Sequence, residues 1–297
     1  MARQHKCFCD LFGLSPLAYR LSAGRCRMSR SIHNLRKKGL LAQTRQTVPL
    51  PYLIYQHNSL IRRKLGQVDP VLQENKAVNL RLAAPKVSGI LIQPGETFSF
   101  WALVGSCSEK KGYRPGLTIV NGHPSSGVGG GLCQLTNLIH WLVLHSPLTV
   151  TELHHHDGVD LFPDFGRVVP FGTGTTILYN HLDYRFTNNT LNTYQLVVYN
   201  TEEYLHGELR SDSPLPVRYH IYGENEHFSR EADGVYRNGT VIRRCVDKRT
   251  GNPLSREIVK VNHAKVMYDT SHLTVVDRQA QPPSVKGFRR RQEKNTL

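Results

Sequence analysis

Apolar residues recur at three- and four-residue steps in one stretch near the middle of the chain. The residues with this spacing are Leu135, Leu138, Ile139, Leu142 and Val143. Such spacing is typical of one face of an α-helix. The run begins at Cys133, directly after three consecutive glycines, and Pro147 follows it. The pattern therefore predicts a helix that starts at Cys133 and ends before Pro147, with a tight glycine turn in front of it.

A second helix is predicted at residues 70–84. Asp69 is a suitable N-cap residue, and Pro70 has the backbone angle that the first helical position requires. Val71, Val78 and Leu82 recur on one face, which we expect to be the buried one. Pro85 is expected to end this helix, because proline cannot donate a backbone hydrogen bond.

Shorter apolar runs separated by turn residues predict strands. Before Cys133 they lie at 51–55, 90–92, 97–101 and 117–120, with turns at 93–96 and 121–122. After the Cys133 helix they lie at 148–153, 177–179, 184–186, 194–199, 204–209, 218–222, 234–236, 240–246 and 257–261, with a turn at 238–239. The predicted class is α+β, with the Cys-bearing helix packed on antiparallel strands and a β-rich C-terminal extension.

The charge is distributed unevenly and suggests four regions. The chain has a formal net charge of +15, yet residues 1–68 hold 13 Lys and Arg against the single acid Asp10. Residues 286–297 are basic as well, whereas the body is close to neutral. We therefore divide the chain into a basic arm (1–48), a core domain (49–212), a β-rich extension (213–285) and a basic tail (286–297). The arm can bind an anionic membrane surface, but no motif indicates specific nucleic acid binding.

The cysteines and the start of the chain bear on the cellular compartment. Six cysteines are scattered over 297 residues and do not form a disulfide pattern, so we expect reduced thiols. No apolar stretch approaches the ~20 residues of a membrane span, and no secretory signal is convincing. We expect a cytoplasmic protein, peripheral at the inner membrane face.

Cys133 is the strongest candidate for chemistry. A thiol at a helix N-terminus loses its proton more easily, and the thiolate is the nucleophile. A cysteine-dependent acyl-transfer or hydrolytic enzyme also needs a histidine and a polar group that orients it. His154, His155 or His156 supply the first, and Asp157, Asp160 or Asp183 the second; of these we favour His154, His156 and Asp157. An oxyanion would be stabilised by Gln134 or by the backbone of Gly129, Gly130 and Gly131.

Two other interpretations stay open. In a binding module the glycine turn would hold a carboxylate or phosphate of the ligand, with Glu96 among the binding residues. Trp101, Tyr113 or Trp141 would then pack against a sugar or peptide, and Cys133 would be a packing residue. A metal site would use His154, His156 and Asp157, with His123, but adjacent histidines are more often a solvated loop. We expect neither metal nor cofactor.

Four motifs resemble the VanW family of bacterial proteins. They are Glu74-Asn75-Lys76 with Asn79-Leu80, the Pro-Gly-Glu-Thr-Phe-Ser-Phe run at 94–100, the Gly-Gly-Gly-Leu-Cys-Gln-Leu run at 129–135, and the segment 182–190. The resemblance spans residues 50–210. It implies a bacterial protein linked to the cell wall, so the expected ligand is a cell-wall peptide or its precursor. This chain departs from the family at 172–176, where Gly-Thr-Gly-Thr-Thr replaces a segment that carries an acid in many members.

Overall fold

The structure is a computed structural model of the 297-residue chain. The structure describes residues 24, 25, 28, 30–32, 34, 38–63, 69–120, 123–155, 158–164 and 166–277. Most of the basic arm and all of the basic tail lie outside these residues, and so do His156 and Asp157. No helix in the described ranges is both long and apolar enough to span a membrane.

Three α-helices with defined bounds lie in the described part of the core. They are α1 (Pro70–Val87), α2 (Phe100–Val104) and α3 (Cys133–Leu144), with 3₁₀ turns at Lys38–Leu40 and Glu109–Lys111. The prediction that the central helix starts at Cys133 is confirmed. Asp69 caps α1 as predicted, because its Oδ1 accepts the N–H of Val71 at 2.9 Å. Pro85 does not end α1: it lies in the last turn, where few backbone bonds remain to be lost.

The strands of the described ranges form four sheets. Their bounds are β1 Tyr52–Leu60, β2 Leu91–Ile92, β3 Thr97–Ser99, β4 Pro115–Val120, β5 His123–Val128, β6 Thr149–Glu152, β7 Val159–Asp160, β8 Arg185–Thr187, β9 Tyr194–Asn200, β10 Tyr204–Ser211, β11 Val217–Glu231, β12 Gly234–Asp247, β13 Pro253–Val266 and β14 Val275–Asp277. The sheet orders are β1-β10-β9-β2, β3-β8-β6, β4-β5 and β14-β11-β12-β13-β7.

The main core lies between the helices and the first sheet. Helix α1 contacts β9 and β4, and α3 contacts β1 and β10, which are antiparallel to each other. Leu135, Leu138, Ile139 and Leu142 of α3 are all buried in this core. The structure therefore confirms an α+β fold in which the Cys-bearing helix packs on antiparallel strands.

The C-terminal extension is β-rich, as expected, and its three long strands form one continuous meander. The prediction of a turn at 238–239 is wrong, because both residues lie inside β12. Asn238 pairs with both β11 and β13, and Gly239 pairs with β13. The extension is also attached to the core: β7 pairs with β13, and Arg243 donates from Nε to the carbonyl of Leu144 at 2.7 Å.

Three further predictions are corrected by the structure. The run 97–101 is not one strand, because β3 ends at Ser99, whose side chain caps α2. Residues 177–179 contribute an isolated bridge between Leu178 and Leu182 rather than a strand. The buried face of α1 is not the predicted one: Val71 is 57% exposed, whereas the buried set contains the polar residues Gln73, Lys76 and Asn79.

Candidate functional site

The glycine turn is needed because protein atoms approach all three of its glycines. Gly129 has a φ of 78°, and a side chain there would come within 2.6 Å of the Cβ of Cys107. Gly130 lies directly against the backbone of Gly116, so that a Cβ at either position would overlap the other's carbonyl group. Gly131 has a φ of 87° and packs on the alkyl chain of Lys76. The turn is therefore tightly held by its neighbours.

Asn79 connects this turn to α1 and β4. Its side-chain Nδ2 donates to the carbonyls of Gly130 and Arg114, both at 2.9 Å, and its Oδ1 accepts the N–H of Arg114 at 2.8 Å. Asn79 is fully buried. The side chain of Asn79 thus holds the glycine turn in place, and this turn sets the position of Cys133 at the start of α3.

Cys133 is the first residue of α3, and its side chain is partly buried. Burial raises the pKa of the thiol, and a hydrogen bond from the backbone of Ile177 opposes this rise. The direction is opposite to the lowered pKa expected at a helix N-terminus. Cys133 therefore rests as a neutral thiol, and a base must remove its proton before it can attack a substrate.

The segment 174–177 lies between α3 and the histidines. On one side, the backbone N–H and the hydroxyl of Thr175 donate to Oδ1 of Asn137 at 2.7 and 2.9 Å. On the other side, the N–H of Thr176 donates to the carbonyl of His154 at 2.7 Å. Segment 174–177 thus connects the helix that bears Cys133 to the histidine run.

His155 is held by the same segment. Its Nδ1 lies 2.6 Å from the carbonyl of Gly174, which makes Nδ1 the protonated nitrogen. His155 is also close enough to His140 of α3 for the two rings to interact electrostatically. Nδ1–H bonded to a carbonyl leaves Nε2 as the basic nitrogen, a tautomer suited to accepting a proton.

His154 interacts with a different partner. Its Nε2 lies 3.1 Å from Oε1 of Glu152. The guanidinium of Arg30 donates to both oxygens of Glu152 at 2.6 Å, and the N–H of Asp183 donates to Oε1 at 3.0 Å. Burial raises the pKa of Glu152, but the hydrogen bonds from His154, Arg30 and Asp183 have the larger effect and lower this pKa to about 2. An ionised carboxylate thus orients His154.

His140 is the buried histidine of this region. Its Nδ1 lies 3.1 Å from the hydroxyl of Tyr184, and its Nε2 has no hydrogen-bond partner among the described residues. Burial, with a smaller contribution from His155, lowers its pKa to about 3. His140 is therefore neutral at physiological pH.

The residues predicted to bind ligand make mainly structural contacts. Gln134 donates from Nε2 to the hydroxyl of Ser59 and the carbonyl of Leu60, at 2.9 and 2.8 Å, and so joins α3 to β1. Glu96 accepts the N–H of Gln93 in the β2–β3 turn. Trp101 is 8% exposed, and its indole N–H donates to a backbone carbonyl, so it has little surface for stacking on a sugar.

The acids expected to orient a histidine are also engaged elsewhere. Asp183 is 2% exposed and accepts bonds from Ser99, Arg185 and two backbone N–H groups. Asp160 is buried beside Arg237 and Tyr268. In the described ranges, which exclude His156 and Asp157, no group of three or more His, Cys, Asp or Glu has the arrangement of a metal site.

Several residues of this region carry no functional signal in the sequence. Glu152, which orients His154, belongs to a predicted strand. Asn137 lies one turn after Cys133 and holds Thr175, a contact that only tertiary structure creates. Lys76 belongs to a recognised motif, but nothing in the motif indicates that its amine is buried.

Comparisons with known proteins agree with the motifs. The family model described as "VanW like protein" matches residues 75–210. "Vancomycin B-type resistance protein VanW" of Enterococcus faecalis (strain ATCC 700802 / V583) is 35% identical over 227 residues, which are 76% of this chain and 82% of that protein. "Uncharacterized protein YoaR" of Bacillus subtilis (strain 168) is 31% identical over 118 residues, 39% of this chain and 36% of that protein. No solved structure matches the chain significantly.

Proposed function

The chain belongs to the VanW family, and from this premise we propose that it is a cysteine-dependent acyl-transfer or hydrolytic enzyme that acts on cell-wall peptides or their precursors. The name of the Enterococcus faecalis relative supports a link to the cell envelope and to glycopeptide resistance. The proposed nucleophile is Cys133.

The observation that carries the proposal is the position of segment 174–177. It contacts the Cys133 thiol through Ile177, and it contacts the histidine run through Thr176 and Gly174. A thiol and two histidines are therefore attached to the same short stretch of backbone. This shared attachment, at the end of a tightly held glycine turn, supports a thiol–histidine pairing, in which the sulfur and a ring nitrogen come within hydrogen-bond reach.

The reaction follows from the resting state of the thiol. A histidine of the pair His154 and His155 accepts the proton of Cys133, and the sulfur attacks the carbonyl carbon of a peptide bond. A thioester forms as the C–N bond breaks, and the departing amine takes the proton from the histidinium. Water or a second amine then attacks the thioester and restores the thiol. The first acceptor gives hydrolysis and the second gives acyl transfer.

The location is part of the same proposal. Wall precursors are assembled before export, and a basic arm at residues 1–48 suits an anionic lipid surface. We therefore place the protein on the inner membrane face. Fractionation of cells that express either the full chain or a variant without residues 1–48 tests this. The proposal requires that the full chain is found in the membrane fraction and that high salt releases it.

Turnover of wall peptides tests the activity. The protein is incubated with purified muropeptides, and the products are separated and identified by mass spectrometry. We expect cleavage or exchange of a peptide residue that Cys133→Ala abolishes. Cys107→Ala is the matched control, because Cys107 is also a free, partly buried thiol near the glycine turn, and it should retain activity. Tight peptide binding without turnover, unchanged in Cys133→Ala, would instead identify a binding module.

A further inference from the structure

Lys76 is a buried amine without a counter-ion in the described part of the chain. It is only 6% exposed, and its Nζ donates to Oε1 of Gln73 at 2.6 Å. The charged groups that act on it are Arg63 and Arg62, which have the same sign. Burial, reinforced by these two arginines, lowers the pKa of Lys76 to about 7. A buried ammonium is costly unless it is paired, so this arrangement requires an explanation.

The neighbouring groups also offer unused donors. Gln73 is 7% exposed, and its Nε2 has no acceptor among the described residues, although it lies on the same side chain that binds Lys76. Arg63 is half-buried and makes no ion pair in the described ranges. Burial and the charge of Arg167 lower the pKa of Arg63, and only Asp164 opposes them. The oxygens of Asp164 are already bound by Arg167 and Arg237 at 2.7 and 2.5 Å.

Arg62 is different, because its charge is balanced. Its guanidinium binds both oxygens of Glu74 at 2.6 and 2.9 Å. The unbalanced donors are thus Lys76, Gln73 and Arg63. Lys76 and Gln73 are hydrogen-bonded to each other, and Arg63 is near enough for its charge to act on Lys76, so one negatively charged group with two or more oxygens can serve this cluster.

This cluster adjoins the proposed nucleophile. The alkyl chain of Lys76 packs on Gly131, two residues before Cys133. Two trans peptide units span at most about 7.6 Å between Cα atoms, so the alkyl chain of Lys76 packs close to the start of the helix that bears Cys133. Gly131 and Leu132 at the start of α3 also have backbone N–H groups without acceptors in the described chain, and helix N-termini favour anions.

We propose that Lys76, Gln73 and Arg63 form an oxyanion-binding site that holds a carboxylate or phosphate group of the substrate beside Cys133. The anion would supply the missing counter-charge and accept the free amide N–H of Gln73. That the ligand is a wall peptide or its phosphorylated precursor rests on the proposed function. The proposed anion site itself does not, because it is argued from a buried amine without a counter-ion and a buried amide N–H without an acceptor in the described chain.

Anion-dependent thermal stability tests the site. The unfolding midpoint is measured with increasing sodium acetate, and separately with inorganic phosphate, at constant ionic strength made up with sodium chloride. We expect a saturable rise in the full-length protein, because a ligand bound only to the folded state stabilises it. Lys76→Met keeps the length of the side chain without its charge. It should bind the anion about tenfold to a hundredfold more weakly and be at least as stable without it.

Lys86→Met is the matched control. Lys86 also lies on α1 and is partly buried, but its Nζ is satisfied by Val104 and Tyr113, at 3.1 and 3.2 Å. This variant should keep the full anion-dependent rise. The inference is overturned if Lys76→Met shows the same saturable rise as the unmodified protein, or if chloride stabilises the protein as well as acetate and phosphate do.

Two further arms separate the source of the anion from the chemistry at Cys133. A short wall-type peptide with a free C-terminal carboxylate is compared with the same peptide carrying a C-terminal amide. If only the peptide with the carboxylate competes with acetate, the bound anion is a peptide carboxylate. Phosphate binding with no discrimination between the peptides assigns the site to a phosphorylated precursor. All titrations are repeated in Cys133→Ser. Binding there, without turnover in the unmodified protein, would retain the anion site and reject the proposed reaction.

Discussion

Replacement of Asn79 by alanine should destabilise the protein strongly, although Asn79 contacts no substrate. The change removes three hydrogen bonds, two to carbonyls of Gly130 and Arg114 and one from the N–H of Arg114. Each bond contributes about 1 kcal/mol net, and the buried groups left behind lose their partner. We therefore expect the free energy of unfolding to fall by about 3 kcal/mol.

Asn75→Ala is the control for this prediction. Asn75 lies one turn earlier on α1 and makes a single exposed bond to the carbonyl of Pro115 at 2.7 Å. Its removal should cost only about 0.5–1 kcal/mol, because water replaces an exposed bond. Urea unfolding followed by the fluorescence of Trp101 and Trp141 gives both values.

Asn79→Ala should also loosen the turn that presents Cys133. We expect iodoacetamide to label Cys133 faster in this variant than in Asn75→Ala, as measured by peptide mapping. The reasoning is refuted if the two variants differ by less than about 0.5 kcal/mol in stability. It is equally refuted if the Cys133 labelling rate is unchanged while stability falls as expected.

Three other variants test separate parts of the structure. Gly130→Ala should abolish folding or lower the unfolding midpoint sharply, because its Cβ would overlap the carbonyl of Gly116; circular dichroism detects this, and a native-like midpoint would contradict the packing. Glu152→Gln should lower the free energy of unfolding by roughly 3 kcal/mol at pH 7, because the folded pKa of Glu152, about 2, lies below the ordinary 4.5. Urea unfolding should show this difference from the unmodified protein shrinking as the pH falls from 4.5 toward 2. The pKa of His140 is about 3 in the folded protein and 6.5 for an ordinary histidine, so His140 lowers the free energy of unfolding as the pH falls from 6.5 toward 3. His140→Gln should therefore make the free energy of urea unfolding depend less on pH in that window. An unchanged pH dependence would argue against a buried neutral ring.

The elements that the sequence predicted well are those with local signals. The start of α3 at Cys133 follows from glycine conformation and apolar spacing, which act within a few residues. The cap at Asp69 is equally local. Strand β3 was predicted too long because Phe100 and Trp101 continue an apolar run. The side chain of Ser99 accepts the N–H of Ala102 and begins α2 instead.

The parts that could not be predicted depend on distant contacts. Lys76 and Asn79 are buried on α1 because the glycine turn packs there, and Gln73 is buried beside Lys76. An apolar pattern cannot identify a buried polar face. The long strand β12 includes Asn238 and Gly239 because both neighbouring strands pair with them. The cysteine and the glycines of the site were found from sequence. The contact of Ile177 with Cys133 and the role of Glu152 require the fold.

The central claim is that Cys133 attacks a wall peptide. Intact-protein mass spectrometry after rapid acid quenching of a reaction with muropeptides tests it most directly, because an acyl thioester adds the mass of the retained fragment. We expect this added mass on Cys133, its absence in Cys133→Ala, and its persistence in Cys107→Ala and Cys245→Ala, which replace the other two free cysteines of the described ranges. Peptide turnover that continues in Cys133→Ala, or an adduct that maps to another residue, would contradict it.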